Sequence, residues 1–585
     1  MCGISGVVGV DLKASDISTI ESLTEKIKNR GPDGKNLVCR SDQGFIIGHT
    51  RLSVIDLSES AGQPFGDATG STYVVFNGEI YNYIKLREDL KEQGYLFRTA
   101  SDTEVIVNGY LAYGPKIFGK LQGMFAICII DLIKKKFFLF RDKFGIKPLY
   151  FYFNGPRLYF CSSHRALATE LGLSEIDRDS AASFAFQGFV QGPGTITKKI
   201  SSLGGGRLLS GKLMLDQRLS EKKIDLRCVN SGGNERASAS IPISQRVNKL
   251  GIAITEAVER HLVSDVRLGL FLSGGIDSGI ILGGLKLLGR QADVLPISIS
   301  FDSQVGKTDE TLNASRLCDH FNIVCEIRRF SKSYVLRQVD AFFGDMDQPS
   351  LDGPNIWFAS QVAKECGVKV VLSGLGGDEF FGGYPSFKRI PFLLKYGFFL
   401  KKFLNIDKQG FLDTLIRLVG MNSNKLRLLR ESDFSIEELY IISRSLGKKE
   451  SGRFQFKDFM EREINNLIER MPTDYMSSSL GTKISNLEAF HYMENQLLRD
   501  SDWASMSHGV ELRVPFVDEE LYSQVRYLFG EDLYPDLKKD LAKNFFGLPR
   551  YIWDRPKTGF GTPIAKWVDS AGTKYEQRVA NEFGI

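Results

Sequence analysis

Near residue 246 the apolar pattern changes from isolated strands to alternating strands and helices, and this change bounds the fold more than any other feature. Before it, GFIIGHTRLSVIDL, STYVVFNGEIYN, GMFAICIIDL, KFFLFRD, PLYFYF and RLYFCSS are β-branched and aromatic runs separated by turn signals. The residues around Ile133–Lys136 read as a hairpin. Helical spacing is confined to the stretches near Ser18–Asn29, Ile84–Gln93 and Thr103–Tyr113. The pattern predicts antiparallel sheets with a few helices over residues 1–205. From about residue 203 the segments SLGGGRLLSG, RLSEKKIDLR and NSGGNERASASIP are polar and rich in Gly and Ser, and 206–245 reads as a linker. From 246 to 585, RLGLFLSGG, VLPISISFD, IVCEIRRF and VKVVLSGLGGDE are apolar strands with helical stretches between them. That pattern predicts a parallel α/β sheet covered on both faces, followed after about residue 385 by a mostly helical part. There is no internal repeat.

Composition closes off other classes. Of 585 residues, 43% are apolar and 25% charged, which excludes disorder, collagen and coiled coil as the main theme. Lys plus Arg is 75 against 70 for Asp plus Glu, so no nucleic-acid footprint is expected. No apolar run reaches the roughly 18 residues of a membrane span, and MCGISGVVGVDLKAS lacks the basic start of a signal peptide. The eight cysteines are scattered with no C-x-x-C pair, as expected for reduced thiols in a cytoplasmic enzyme.

Cys2 stands apart. Removing Met1 leaves a free α-amine on the residue that carries the thiol, a nucleophile with its own base. RGPDG (Arg30–Gly34), HTRLSVIDL (His49–Leu57), FNGEIYN (Phe76–Asn82) and SDTEVI (Ser101–Ile106) follow, each putting polar or Gly residues at the end of an apolar run. An Asn-Gly pair alone is also a common hairpin turn. In this context Asn77 and Gly78 can form an oxyanion hole, Arg51 can hold a carboxylate, and Glu79 and Asp102 can hold an ammonium. Together they suit glutamine, its side-chain amide aimed at Cys2.

These motifs, with GMFAI and RDKFGIKPLY after them, resemble in order the glutaminase domain of class II amidotransferases. The resemblance implies an αββα sandwich of the N-terminal nucleophile hydrolase type over 1–205. It implies Cys2 as nucleophile, Asn77 and Gly78 as oxyanion hole, and Arg51, Leu52, Glu79 and Asp102 as glutamine-binding residues.

LFLSGGIDS (Leu270–Ser278) ends an apolar strand and opens a helix. Ser273, Gly274, Gly275 and Ser278 can present N–H groups and hydroxyls to a phosphate, although a plain strand-to-helix turn reads the same way. SGLGGDEFFGGYPSF (Ser373–Phe387) is a second glycine turn after a strand, where open α/β sheets bind ligands. Asp277 and Asp378 on these turns can share a Mg²⁺ on a pyrophosphate. Lys557 lies in RPKTGFGTPI; a lone loop lysine is ordinarily a solvated charge. Phe301 stands where a Walker A glycine would be needed before Gly306-Lys307-Thr308, no G-x-G-x-x-G follows a strand, and no HExxH occurs.

This half, with GVELRVPFVD (Gly509–Asp518), resembles the ATP-pyrophosphatase domain of glutamine-dependent asparagine synthetases. The resemblance implies ATP contacts at Leu272, Ser273, Gly274, Gly275, Asp277, Ser278, Ser300, Ser373 and Gly374, Mg²⁺ at Asp277 and Asp378, and transition-state stabilisation by Lys557. It implies glutamine and aspartate as substrates and allows a homodimer. One departure stands out: the family loop reads S-G-E-G-x-D-E, and here Leu375 replaces the glutamate. The acceptor is therefore open between aspartate and another carboxylate such as a sugar uronate, and a non-catalytic binding protein on the same scaffold is the distant alternative.

Overall fold

The computed structural model describes residues 2–213, 224–225, 241–302, 310–404, 420–447, 456–530, 534–554 and 562–585. The strands are β1 (Gly3–Gly9), β2 (Gly34–Arg40), β3 (Phe45–Arg51), β4 (Phe65–Gly66), β5 (Thr72–Ile80), β6 (Gly123–Asp131), β7 (Lys136–Arg141), β8 (Tyr150–Asn154), β9 (Arg157–Cys161), β10 (Ile200–Ser202), β11 (Arg207–Lys212) and β12 (Ile224–Asp225) in the N-terminal part. They form two six-stranded sheets, ordered β10-β8-β9-β1-β3-β2 and β12-β11-β7-β6-β5-β4, with antiparallel pairings.

Strand alternation explains why these segments read as continuous apolar runs: both faces are covered. Ile4, Val8, Phe45 and Ile47 of one sheet meet Val75, Ala126 and Cys128 of the other in an inner core. Val7 and Ile46 point the opposite way and pack on Ile20 and Leu23 of the helix Ala14–Lys26. Phe76, Ile127 and Ile129 likewise pack outward on Leu90, Val105 and Ile106, from the helices Tyr83–Glu92 and Asp102–Tyr113. The result is an αββα sandwich, and the three helices lie within four residues of the expected limits, but helical structure is not confined to them: His164–Glu170 and Arg178–Gln187 are further helices, capped by Ser163 and Asp177, in stretches that carry no clear helical spacing.

The expected linker differs at its start. Arg207–Lys212 is β11, hydrogen-bonded to β7, with Leu208 and Leu209 buried on opposite faces. The flanking glycines masked a strand whose partner is some 70 residues away. Cys228 lies outside the described residues, and every described cysteine is a free thiol.

The second part is built on β13 (Leu268–Phe271), β14 (Val294–Phe301), β15 (Glu326–Phe330), β16 (Val370–Leu372) and β17 (Glu511–Arg513), in the order β15-β14-β13-β16-β17 and all parallel. The chain passes from β13 outward through β14 to β15, then returns to the other side of β13 as β16. The boundary between β13 and β16 is therefore the topological switch point, the crevice where such sheets bind ligands. Helices dominate after Ser386, as expected. No helix among the described residues is long and apolar enough to cross a membrane.

The two parts share one core. Leu52, Val54, Tyr81, Met124, Phe144 and Ile146 cluster with the apolar residues of the second part, and the Phe144 ring stacks on Phe490 with centroids 5.7 Å apart. Buried ion pairs cross the same boundary, including Arg30–Asp502 at 2.8 Å and Arg141–Glu494 at 3.8 Å, and Glu494 Oε1 accepts from the Gly205 N–H at 2.8 Å.

Candidate active sites

Gly3 pairs with Thr50, so Cys2 lies beside the end of β3, next to Arg51 and Leu52. Across the sandwich, β5 delivers Asn77, Gly78 and Glu79 to the same end. The Cys2 nitrogen donates to Asn77 Oδ1 at 3.1 Å, and the Cys2 carbonyl accepts from Arg30 Nε at 3.2 Å. Burial pushes the thiol above its ordinary range, although the Leu52 N–H opposes this. The Cys2 nitrogen held by Asn77 is the atom that becomes the α-amine on removal of Met1.

Asn77 is fully buried, and its Nδ2 has no hydrogen bond among the described residues. With Oδ1 occupied by Cys2, the donor end of the amide is the end left to meet a developing oxyanion. Gly78 has φ +149°, and a Cβ there would stand 1.9 Å from the Met124 carbonyl oxygen, so no larger residue fits beside β6.

Glu79 and Asp102 are both buried carboxyls. Burial pushes Asp102 up to about 6, although it accepts from the Ile80 N–H at 3.1 Å. Glu79 is raised well above the usual range by burial and then by Glu511, while Arg513, 3.4 Å away, opposes the rise. Two buried carboxyl acceptors at one end of the sandwich suit an ammonium ligand. Arg51 spends Nη1 on the Ser58 carbonyl at 2.6 Å and Nη2 on the Asp56 carbonyl, which ties it to the loop after β3.

The structure thus gathers Cys2, Arg51, Leu52, Asn77, Gly78, Glu79 and Asp102 at one end of the sandwich. Arg30, Glu511 and Arg513 complete the surroundings; sequence reasoning gave them no role. Arg30 opens the quoted RGPDG, and the other two lie in the quoted GVELRVPFVD, so a signal was present without a partner to interpret it.

The second site lies at the switch point. After β13 the chain turns through Gly274, at φ +67°, into the helix Ile276–Leu287. Ser278 Oγ accepts from the Ser273 N–H at 3.3 Å, and Ser273 Oγ accepts from the Gly275 N–H at 3.2 Å, which shapes the loop. After β16, Ser373 donates its N–H to the Arg513 carbonyl at 2.8 Å. The two loops touch through glycines: a Cβ on Gly374 would lie 3.0 Å from the Ser278 nitrogen, and one on Gly377 2.6 Å from Asp277 Oδ1. Leu272 and Ser300 are buried, and Ser300 Oγ accepts from Arg329 Nε at 3.3 Å at the end of β14.

Asp277 Oδ1 and Asp378 Oδ1 each lie 2.5 Å from Lys538 Nζ. Two carboxylates from facing loops therefore converge on one cationic centre, and the ammonium stands where a cation is wanted. Hard oxygen donors of this kind fit Mg²⁺, which keeps several waters and takes its remaining ligands from phosphate oxygens. No cluster of three or more such ligands occurs among the described residues. Lys538 was not anticipated, since nothing in DLKKD distinguishes it from a solvated lysine. Glu379 is buried and pushed up to about 7 by burial and by Asp378; its Oε1 accepts from Tyr384 Oη at 2.7 Å. Leu375 is partly buried and packs on the core. Lys557 lies outside the described residues.

Residues 1–220 match the glutamine amidotransferase domain family, and residues 249–582 match the asparagine synthase family. The chain is 28% identical over 601 aligned residues to asparagine synthetase (glutamine-hydrolysing) 1 of Bacillus subtilis, covering 100% of this chain and 90% of that one. It is 26% identical over 552 residues to asparagine synthetase (glutamine-hydrolysing) 3 of the same organism, covering 90% and 80%. It is also 27% identical over 414 residues to a Gibberella zeae protein named amidase chry2, covering 66% and 60%.

Proposed function

The chain belongs to the asparagine synthase family and is a glutamine-dependent amide ligase, and from that premise we propose that it converts aspartate to asparagine with ATP and glutamine. The observation that carries the adenylating half is the convergence of Asp277 and Asp378, from two facing glycine loops, on one cationic centre.

Residues 1–205 form the glutaminase. The α-amine of Cys2 takes the thiol proton, and the sulfur attacks the glutamine side-chain amide. Asn77 Nδ2 and the Gly78 N–H stabilise the resulting oxyanion. Collapse of the tetrahedral centre expels ammonia and leaves a thioester, which water hydrolyses to glutamate. Arg51 and Leu52 bind the carboxylate end of glutamine, and Glu79 and Asp102 bind its ammonium.

Residues 246–585 form the synthetase. The acceptor carboxylate attacks the α-phosphorus of ATP, which breaks the bond to the departing pyrophosphate. The loops Ser273–Ser278 and Ser373–Gly374 receive that pyrophosphate at their N–H groups, with Leu272 and Ser300 beside the nucleotide. Asp277 and Asp378 would hold Mg²⁺, which supplies positive charge to the leaving group when bound. Ammonia then attacks the acyl-adenylate, releasing AMP and forming the amide. Glu379, next to Asp378 on the same loop, accepts the proton lost from nitrogen.

A second reading, amidation of a larger carboxylate such as a sugar uronate, draws support from Leu375, an apolar residue standing where the family loop carries glutamate. Pyrophosphate release with ATP, Mg²⁺ and either aspartate or nucleotide-linked uronates separates the two. Turnover of aspartate supports the first. Release only with uronates, or a large gain for aspartate in Leu375→Glu, supports the second.

A further inference from the structure

Arg513 is fully buried at the end of β17 and fixed by its own half of the molecule. Its Nη1 donates to the carbonyls of His261 at 2.8 Å and Val263 at 2.6 Å, and its Nε donates to Glu511 Oε1 at 2.6 Å. That leaves Nη2, which is buried, has no hydrogen bond among the described residues, and lies 3.4 Å from Glu79 Oε1 in the other half. Tyr81, two residues past Glu79, packs its ring on His261 with centroids 4.2 Å apart, so strand and arginine are held in register. The Arg513 carbonyl meanwhile accepts the Ser373 N–H of the adenylating loop.

We propose that Arg513 is a positioning residue for the glutamine pocket: it reaches across from the synthetase half and fixes Glu79 for the ammonium of glutamine. This rests on the role assigned to Glu79 above. Three carboxyls, Glu79, Asp102 and Glu511, crowd that end of the sandwich. A buried carboxyl without a cation takes up a proton and becomes a poor acceptor for an ammonium. The guanidinium supplies the cation without occupying the ligand's place, because its other nitrogens are already engaged. The glutamine pocket is thus complete only when the synthetase half is docked, and the strand that completes it is the one against which the adenylating loop is built.

The test compares Arg513→Met, Arg513→Lys, Glu79→Gln and the double variant Glu79→Gln/Arg513→Met in the full-length enzyme. Glutamate release gives kcat and KM for glutamine, and ammonia-dependent synthesis reads whether each protein has folded. Losing the buried counter-charge of Glu79 should raise KM for glutamine about ten- to a hundredfold in Arg513→Met, with a smaller change in kcat. Arg513→Lys should recover part of the loss, and the double variant should be no worse than Glu79→Gln alone, because both act through one contact. A folded Arg513→Met with unchanged KM, or fully additive effects in the double variant, would overturn the proposal. Where Arg513→Met fails to fold, an unchanged KM in Arg513→Lys does the same. An unchanged KM in Glu79→Gln would instead remove the role of Glu79 itself, whatever Arg513 does.

Discussion

Arg30 Nη1 and Asp502 Oδ2 form an ion pair 2.8 Å apart across the boundary between the two halves, with side chains 8% and 2% exposed. Arg30 also donates to the Cys2 carbonyl, so the main chain of the nucleophile is braced by a charge on the other half. Lys147 Nζ lies 3.6 Å from the same aspartate. Asp502→Asn leaves two buried cations without their counter-charge, and we expect it to cost about 3 kcal/mol of stability. Denaturant unfolding measures this; a loss under about 0.5 kcal/mol would mean that water screens the pair.

Asn77 tests the oxyanion hole. With Oδ1 held by Cys2 and Nδ2 unengaged, Asn77→Ala removes a donor that matters in the transition state. Glutaminase kcat should fall about a hundred- to a thousandfold with little change in KM. An effect confined to KM would make Asn77 a binding residue.

Asp102 sets a pH dependence. Its pKa is raised from 3.8 to about 6, chiefly by burial. Ammonium binding needs the carboxylate, so kcat/KM for glutamine hydrolysis should fall as pH drops through about 6. An acid limb near 4, the range of an ordinary aspartate, would show that Asp102 is solvated in the working enzyme.

Asp277→Asn and Asp378→Asn should each abolish ATP–pyrophosphate exchange while glutamate release continues, since the two reactions use different ends of the molecule. The same substitutions should weaken Mg²⁺ binding, measured by calorimetry with the metal and ATP. Full exchange in both would remove these residues from the adenylating site.

What could be read from the sequence follows from how local each signal is. Cys2, the Asn77–Gly78 pair and the Leu270–Ser278 loop announce themselves in short segments; the structure sets Cys2 against Asn77 at one end of the sandwich and the loop at the end of β13 in the other half. The alternation in β1, β3, β5 and β6 was hidden because both faces of each sheet are covered, yet strand identity survived in their β-branched and aromatic residues. β11 was missed because Arg207–Lys212 is a strand only through its pairing with β7. Lys538 and Arg513 depend wholly on distant partners. Lys538 gains meaning from two aspartates at least 160 residues earlier, and Arg513 from Glu79 in the opposite half.

The most direct test of a ligase joining two chemistries follows the amide nitrogen itself. The purified enzyme is given glutamine labelled with ¹⁵N in its side-chain amide, together with ATP, Mg²⁺ and aspartate. We expect ¹⁵N-asparagine, glutamate, AMP and pyrophosphate in equal amounts, with synthesis from glutamine lost in Cys2→Ala and restored by ammonium. Glutamate and free labelled ammonium without AMP or pyrophosphate would contradict that result for aspartate.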